Sequence, residues 1–157
     1  MLAPVEVHLT LDRFLTAQPY YPCCLLVHPD VAQLQQTGEQ LKAQYGWPEF
    51  HLGRTVSEQL LTVSKDRRSG ATYGLITDAL RQRQPGPIIC TAIDLLFEPA
   101  LALDPLRLLR DASRVAPMIV TWPGRFANNV LTYAEPAHAY YRSWSQPDLC
   151  SSCIIPI

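Results

Sequence analysis

Residues 25–36 read "LLVHPDVAQLQQ", and this stretch decides the reading of the chain. The apolar run Cys23 to Val27 has the length and composition of a strand buried on both faces. A short turn follows, and from Asp30 the pattern becomes helical, with Leu34 and Leu41 on an inward face and Asp30 able to cap the helix start. Strand, tight turn and helix form the frame of a phosphate-binding loop. The turn nevertheless holds no glycine and no lysine.

The remainder extends the same pattern. The helix from Asp30 runs to about Tyr45 and stops at Gly46-Trp47-Pro48. Glu49 to Leu52 reads as a short strand, and Ser57 as the cap of a helix near Val63. Ser64 to Gly70 is a polar loop, and Tyr73, Ile76 and Leu80 mark one face of the next helix. Gln84-Pro85-Gly86-Pro87 breaks it. Ile88 to Ile93 is a second buried strand, followed by an irregular apolar stretch, Leu95 to Leu103. In "LDPLRLLRDASR", Leu103 to Arg114, Asp104 is the cap and Pro105 takes the first helical position, where its missing N–H costs nothing. Met118 to Trp122 is a third buried strand, which Pro123-Gly124 is expected to turn. Val130 to Tyr133 and the tail Cys153 to Ile157 read as further strands. Near the start, Leu11 to Ala17 reads as a short helix. Apolar strands alternating with helices predict an α/β fold with a largely parallel sheet, whose ligands bind at the carboxyl ends of the strands.

Composition narrows the classes. With 157 residues, 48% of them apolar, the chain is expected to be one domain over 1–157 with a real core. Net charge is −1 and the pI is near 6.4, so no global basic footprint points to nucleic acid. Lys65, Arg67, Arg68, Arg81 and Arg83 form a local basic excess whose plain reading is a solvated helix face. No apolar run approaches the roughly 18 residues of a membrane span, and the opening lacks the pattern of an export signal, so the expected location is cytoplasmic. Five cysteines, an odd count, argue against a disulfide framework. Cys150-Ser-Ser-Cys153 has metal-ligand spacing but stands alone, with His138 the nearest further donor, so no metal is expected. His8, His28, His51 and His138 are scattered, and no GxSxG surrounds any serine.

Three stretches of the second half carry a resemblance: Leu103-Asp104-Pro105-Leu106-Arg107-Leu108-Leu109, then Trp122-Pro123-Gly124, then Leu131-Thr132-Tyr133-Ala134-Glu135-Pro136. In this order and spacing they resemble the BrxF family, small P-loop proteins of type 3 BREX phage-defence systems. The resemblance runs from about Cys24 to Tyr141. It implies a P-loop NTPase-like, AAA+-like three-layer sandwich without a lid domain. It also implies a phosphate loop after the first strand and a Walker B acid closing the strand Ile88 to Ala92.

Both places depart from that pattern. Phosphate binding needs glycines whose N–H groups wrap the anion, a lysine, and a Ser or Thr for Mg²⁺. On the family's pattern His28 stands at the first glycine, Gln33 at the last, Leu34 at the lysine and Gln35 at the hydroxyl, while Pro29 alone is of the expected type. Val31 resists the positive φ such loops use. The Asp30 carboxylate is placed to take the helix N–H groups that a phosphate would use. At the Walker B strand, Thr91 holds the Asp position and Asp94 follows as a polar residue at the strand exit.

The resemblance and the losses together imply a pseudo-ATPase, with no cofactor and no catalytic residue. Its expected role is that of an assembly subunit docking on a large ATPase, a DNA methyltransferase or a phosphatase-like protein, meeting DNA only indirectly and compatible with a homo-oligomer. Two alternatives stay open. One is a nucleotide switch in which Arg125 or residues 65–83 supply the missing positive charge. The other is a small nucleic-acid-binding module using that basic stretch. Arg114, at the end of its helix, is a candidate for reaching a neighbour's nucleotide, and the aromatic residues from Trp122 to Trp144 for an interface or the core.

Overall fold

The computed structural model describes residues 4–150 and 153–157. Helix α1 (Pro4–Ala17) leads to β1 (Cys23–His28), α2 (Val31–Tyr45), β2 (Glu49–His51), α3 (Leu52–Leu60) and α4 (Arg68–Arg81). Then come β3 (Ile88–Thr91), two 3-10 turns over Ile93–Phe97 and Pro99–Leu101, and α5 (Pro105–Ala112). Strands β4 (Met118–Ala127), β5 (Val130–Tyr133), β6 (Arg142–Ser145) and β7 (Ile154–Pro156) complete the order.

Five strands lie in the order β2-β3-β4-β1-β7, every neighbouring pair parallel. β1 pairs with β4 from Cys23–Met118 to His28–Pro123 and with β7 on its other side. The sheet becomes mixed where the far half of β4 pairs antiparallel with β5, and β5 with β6. Helices surround it, as the alternation of apolar strands and helices predicts.

The core divides by the period-two alternation of strand side chains. Cys23, Leu25, Val27, Cys90, Val120 and Trp122 face α3, α4, α5 and the 3-10 turns. Cys24, Leu26, Ile89, Ile119 and Ile155 face α1 and α2, meeting Val7, Leu11, Phe14, Leu34 and Leu41. Strands buried on both faces cannot alternate apolar with polar, which is why they stand out in the sequence as continuous apolar runs. Burial also explains the cysteine chemistry. Cys23, Cys24 and Cys90 are wholly buried, and burial raises each thiol far above its usual range, Cys90 to about 12, leaving them as small apolar fillers.

Four expectations are corrected. α1 begins at Pro4, not Leu11. α3 starts at Leu52 with the His51 side chain accepting the Arg54 N–H, while Ser57 lies inside the helix and donates to the Arg54 carbonyl. The polar loop at 64–70 is shorter than read, because α4 already starts at Arg68. Pro123-Gly124 does not turn β4, which runs on to Ala127.

The last correction has a packing cause. Pro123 sits where β4 leaves the parallel sheet for the hairpin, a position at which a missing N–H is tolerated. Gly124 is required by contact: a Cβ there would lie 1.8 Å from the Thr132 carbonyl oxygen, which also accepts the Trp122 indole N–H at 2.8 Å. Trp122, Phe97, Tyr133 and Trp144 then form an aromatic cluster under the hairpin, with Phe97 and Tyr133 stacked. Replacing Gly124 by Ala should force β4 and β5 apart and cost about 2 kcal/mol or more, in the range of overpacked cores. Denaturant unfolding measures it, and a variant of wild-type stability would refute the close approach.

Candidate functional site

The turn after β1 contains only Pro29 and Asp30, since β1 ends at His28 and α2 begins at Val31. Asp30 Oδ1 accepts the Ala32 N–H at 2.9 Å, the Asp30 carbonyl accepts the Leu34 N–H at 3.1 Å, and the Asp30 N–H donates to His28 Nδ1 at 2.9 Å. A phosphate loop must present several free N–H groups around an anion. Here the strand passes into the helix in two residues, and the carboxylate stands at the positive end of the helix. Gln33, Leu34 and Gln35 lie inside α2. Leu34 is buried against the sheet, whereas Gln33 and Gln35 are exposed.

A cavity of about 210 Å³ does open at the carboxyl ends of β2, β3 and β4, beside α2. Leu34, Gln35, Thr91 and Asp94 line it together, with Glu39, Glu49, His51 and Thr121. His28 at the end of β1, Pro29 and Asp30 in the turn, and Gln33 in the first turn of α2 stand outside this lining. The structure thus brings together half of the residues singled out in the sequence and separates the other half.

Three polar groups of the cleft, Thr91, Glu49 and Asp94, have structural partners. Thr91 closes β3, and its hydroxyl donates to Glu49 Oε2 at 2.9 Å. Lys42 from α2 holds Glu49 Oε1 at 2.9 Å and Glu39 at 3.4 Å. Partial burial pushes the Glu49 carboxyl up, but the bonds from Lys42 and Thr91 outweigh it and hold the group below its ordinary range. Asp94 follows Ala92, whose φ of 56° turns the chain sharply out of β3. Its Oδ1 accepts the Tyr133 hydroxyl at 2.7 Å, and burial together with this bond raises the Tyr133 phenol well above its usual value.

Glu49 is the site residue that sequence reasoning missed. Its signal was a carboxylate opening a short strand, which is indistinguishable from surface polarity until Lys42 and Thr91 converge on it.

The cleft's charge is the reverse of a phosphate site. Its lining includes Glu39, Glu49 and Asp94 and no lysine or arginine. Five of the arginines expected to help are engaged elsewhere. Arg125 pairs with Glu135 at 3.2 Å, and Arg114 donates to the Tyr20 carbonyl and lies over its ring. Arg81 pairs with Asp78, Arg68 donates to the Val63 carbonyl, and Arg83 donates to the carbonyls of Glu49 and Ala79. Among the described residues no group of three or more His, Cys, Asp and Glu could hold a metal ion. Cys150 is exposed and Cys153 buried, and the two serines between them lie outside the described residues. No described helix is long and apolar enough to cross a membrane.

Fold and site together define an α/β protein with a largely parallel sheet and an acidic cleft at its strand ends. No family model, no curated protein and no solved structure matches the chain.

Two outcomes are expected of the cleft's supporting bonds. Asp30→Ala should lower stability by about 1 kcal/mol, the worth of a helix cap, and unchanged unfolding would remove the capping role. Glu49, held low in the fold, contributes stability that is complete above its unfolded value of about 4.3 and is lost as pH falls through the lower folded value. Glu49→Gln should therefore flatten the fall of stability below about pH 4.3. Unfolding curves across that range check it, and an unaltered slope would refute the assignment.

Proposed function

We propose that the chain is a non-catalytic pseudo-ATPase subunit of a BREX-type antiphage defence system. It works through protein–protein contacts on a P-loop NTPase-like, AAA+-like frame. The observation that carries this reading is the two-residue turn between β1 and α2, where the chain's own Asp30 carboxylate accepts the Ala32 N–H at the helix start. Phosphoryl transfer rests on positive charge and Mg²⁺ positioned around the γ-phosphate. The cleft offers neither: Leu34 is buried where the lysine would stand, and Thr91 spends its hydroxyl on Glu49.

Support for the frame comes from layout. β1 and β3, the strands expected to carry the two phosphate motifs, are separated by β4 alone, and the helix that follows β1 borders the cleft at the end of β3. The defence assignment rests on the BrxF-like residues 103–109, 122–124 and 131–136. Most of these are structural: Asp104 caps α5, Leu106, Leu108 and Leu109 are buried, and Trp122-Pro123-Gly124 shapes the β4–β5 crossing. For docking, α1 exposes Val5 and Leu9 one turn apart, and Tyr20 and Leu61 are exposed elsewhere. The expected partners are a large ATPase, a DNA methyltransferase or a phosphatase-like subunit. A nucleotide switch is not favoured, because no lysine or arginine lines the cleft and Lys42 beside it is paired with Glu39 and Glu49, and direct nucleic-acid binding is not favoured, because the arginines at 68, 81 and 83 are bonded within the chain.

Calorimetric titration with ATP and Mg²⁺ tests the non-catalytic reading: no saturable heat is expected, and saturable binding would overturn it. Deleting the gene in its host should lower resistance to phage, and an unchanged plating efficiency would remove the defence assignment.

A further inference from the structure

Of the five cysteines, Cys23, Cys24 and Cys90 are wholly buried, while Cys150 and Cys153 stand apart at the entry to β7. Their spacing alone is weak evidence. Two thiols cannot complete a structural zinc site, and among the described residues no group of three or more ligating side chains converges. Backbone geometry supplies what spacing lacks. The Cys153 N–H donates to the Cys150 carbonyl at 2.8 Å. A bond from residue i+3 back to residue i closes a turn that holds the two Cα atoms within about 7 Å. Disulfides span roughly 4.4–6.8 Å between Cα atoms, so the backbone is already closed to the reach of a bridge.

Exposure gives the two thiols different places. Cys150 is exposed, whereas Cys153 is only 3% exposed. Both line a cavity of about 390 Å³ between residues 19–21 and the strap 147–149. A molecule arriving from solution meets Cys150 first and finds Cys153 behind it. The pairing of Leu25 with Ile154 sets Cys24 beside Cys153, on the α1 and α2 side of the sheet. Cys24 does not compete for the bridge. Burial raises its thiol well above the usual range, and a thiol held protonated is not a nucleophile.

We propose that Cys150 and Cys153 form a reversible dithiol–disulfide pair whose co-reactant is a small-molecule disulfide of the glutathione class. Cys150, as thiolate, attacks one sulfur of the co-reactant. The co-reactant's S–S bond breaks, and the thiolate that leaves takes up the proton Cys150 lost. Cys153 then attacks the Cys150 sulfur of the mixed disulfide, and a second small thiol leaves with the Cys153 proton. Two electrons pass from the pair to the co-reactant, which ends as two thiols. Excess small thiol runs the same steps backwards. The bridge ties the strap, which Asp148 holds to Arg110 of α5, to the start of β7 beside β1. This chemistry is independent of the proposed defence role.

Equilibration of the purified full chain in buffers of reduced and oxidised glutathione tests it, read by native-state thiol titration and by disulfide mapping in a mass spectrometer. Two of the five thiols are expected to disappear as the oxidised fraction rises, to map to a Cys150–Cys153 link, and to return with excess reduced glutathione. Cys153→Ser should stop the sequence at a glutathione adduct on Cys150. Cys150→Ser, a change at an exposed site, should leave every remaining thiol unreacted in the folded chain. Five thiols persisting in the wild-type chain, a Cys150 adduct that never closes, a link from Cys153 to Cys24, or a Cys150–Cys150 link between two chains would each overturn the inference. The wild-type mapping decides the matter even where Cys153→Ser fails to fold.

Discussion

The parallel pairing of β1 is the constraint on which the rest of the molecule depends. β1 is held by β4 on one side and β7 on the other, and both its faces are buried. Parallel strands cannot be joined by a tight hairpin, so each return requires a crossover. The crossovers place α2 on one face and α3, α4 and α5 on the other, and the two cores follow. Because every strand of this set points the same way, their carboxyl ends share one edge, and the cleft forms there. The approach of β4 to β7 is the exception: it passes through β5 and β6, an antiparallel hairpin extension that carries the aromatic cluster.

At that edge one short segment sets the chemistry. Two residues between strand and helix leave no backbone to wrap an anion, and the Asp30 carboxylate satisfies a helix N–H that water or phosphate would otherwise meet. The same negative sign recurs across the cleft at Glu39, Glu49 and Asp94. The space is small, and its lining combines apolar residues with three carboxylates. Lys42, the nearest cation, is drawn into holding Glu49 to α2, so its charge stabilises the wall and is not presented to a ligand.

Where the sequence was legible, burial was symmetric or a cap was local. β1, β3 and β4 appear as apolar runs because both faces of each are covered. Asp30 and Asp104 are readable as caps because a cap bonds within three residues of itself. Gly46 ends α2 in the left-handed region with its N–H on the Lys42 carbonyl, again a local matter. The failures are equally specific. Pro123-Gly124 looks like a turn, and only the proximity of the Thr132 carbonyl shows why a glycine is needed in a continuing strand. Arg142 to Ser145 was not seen as a strand, because its exposure alternates only weakly and its pairing with β5 is non-local. Glu49 became a site residue through contacts from Lys42 and Thr91, the latter 42 positions away in the chain.

By itself, then, the sequence determined the α/β class, the three central strands, the capped helices α2 and α5, and the lack of glycine and lysine after β1. These are properties of short segments, governed by periodicity, propensity and side chains bonding to their own backbone. Only the tertiary structure decided that Leu34, Gln35, Thr91 and Asp94 share a cavity while His28, Pro29, Asp30 and Gln33 do not. It also decided that Asp94 is bound to Tyr133 and that the cleft is acidic. Those outcomes depend on which strand lies beside which and on where α2 rests against the sheet. Such distances are set by the packing of the whole core and by no single stretch of the chain.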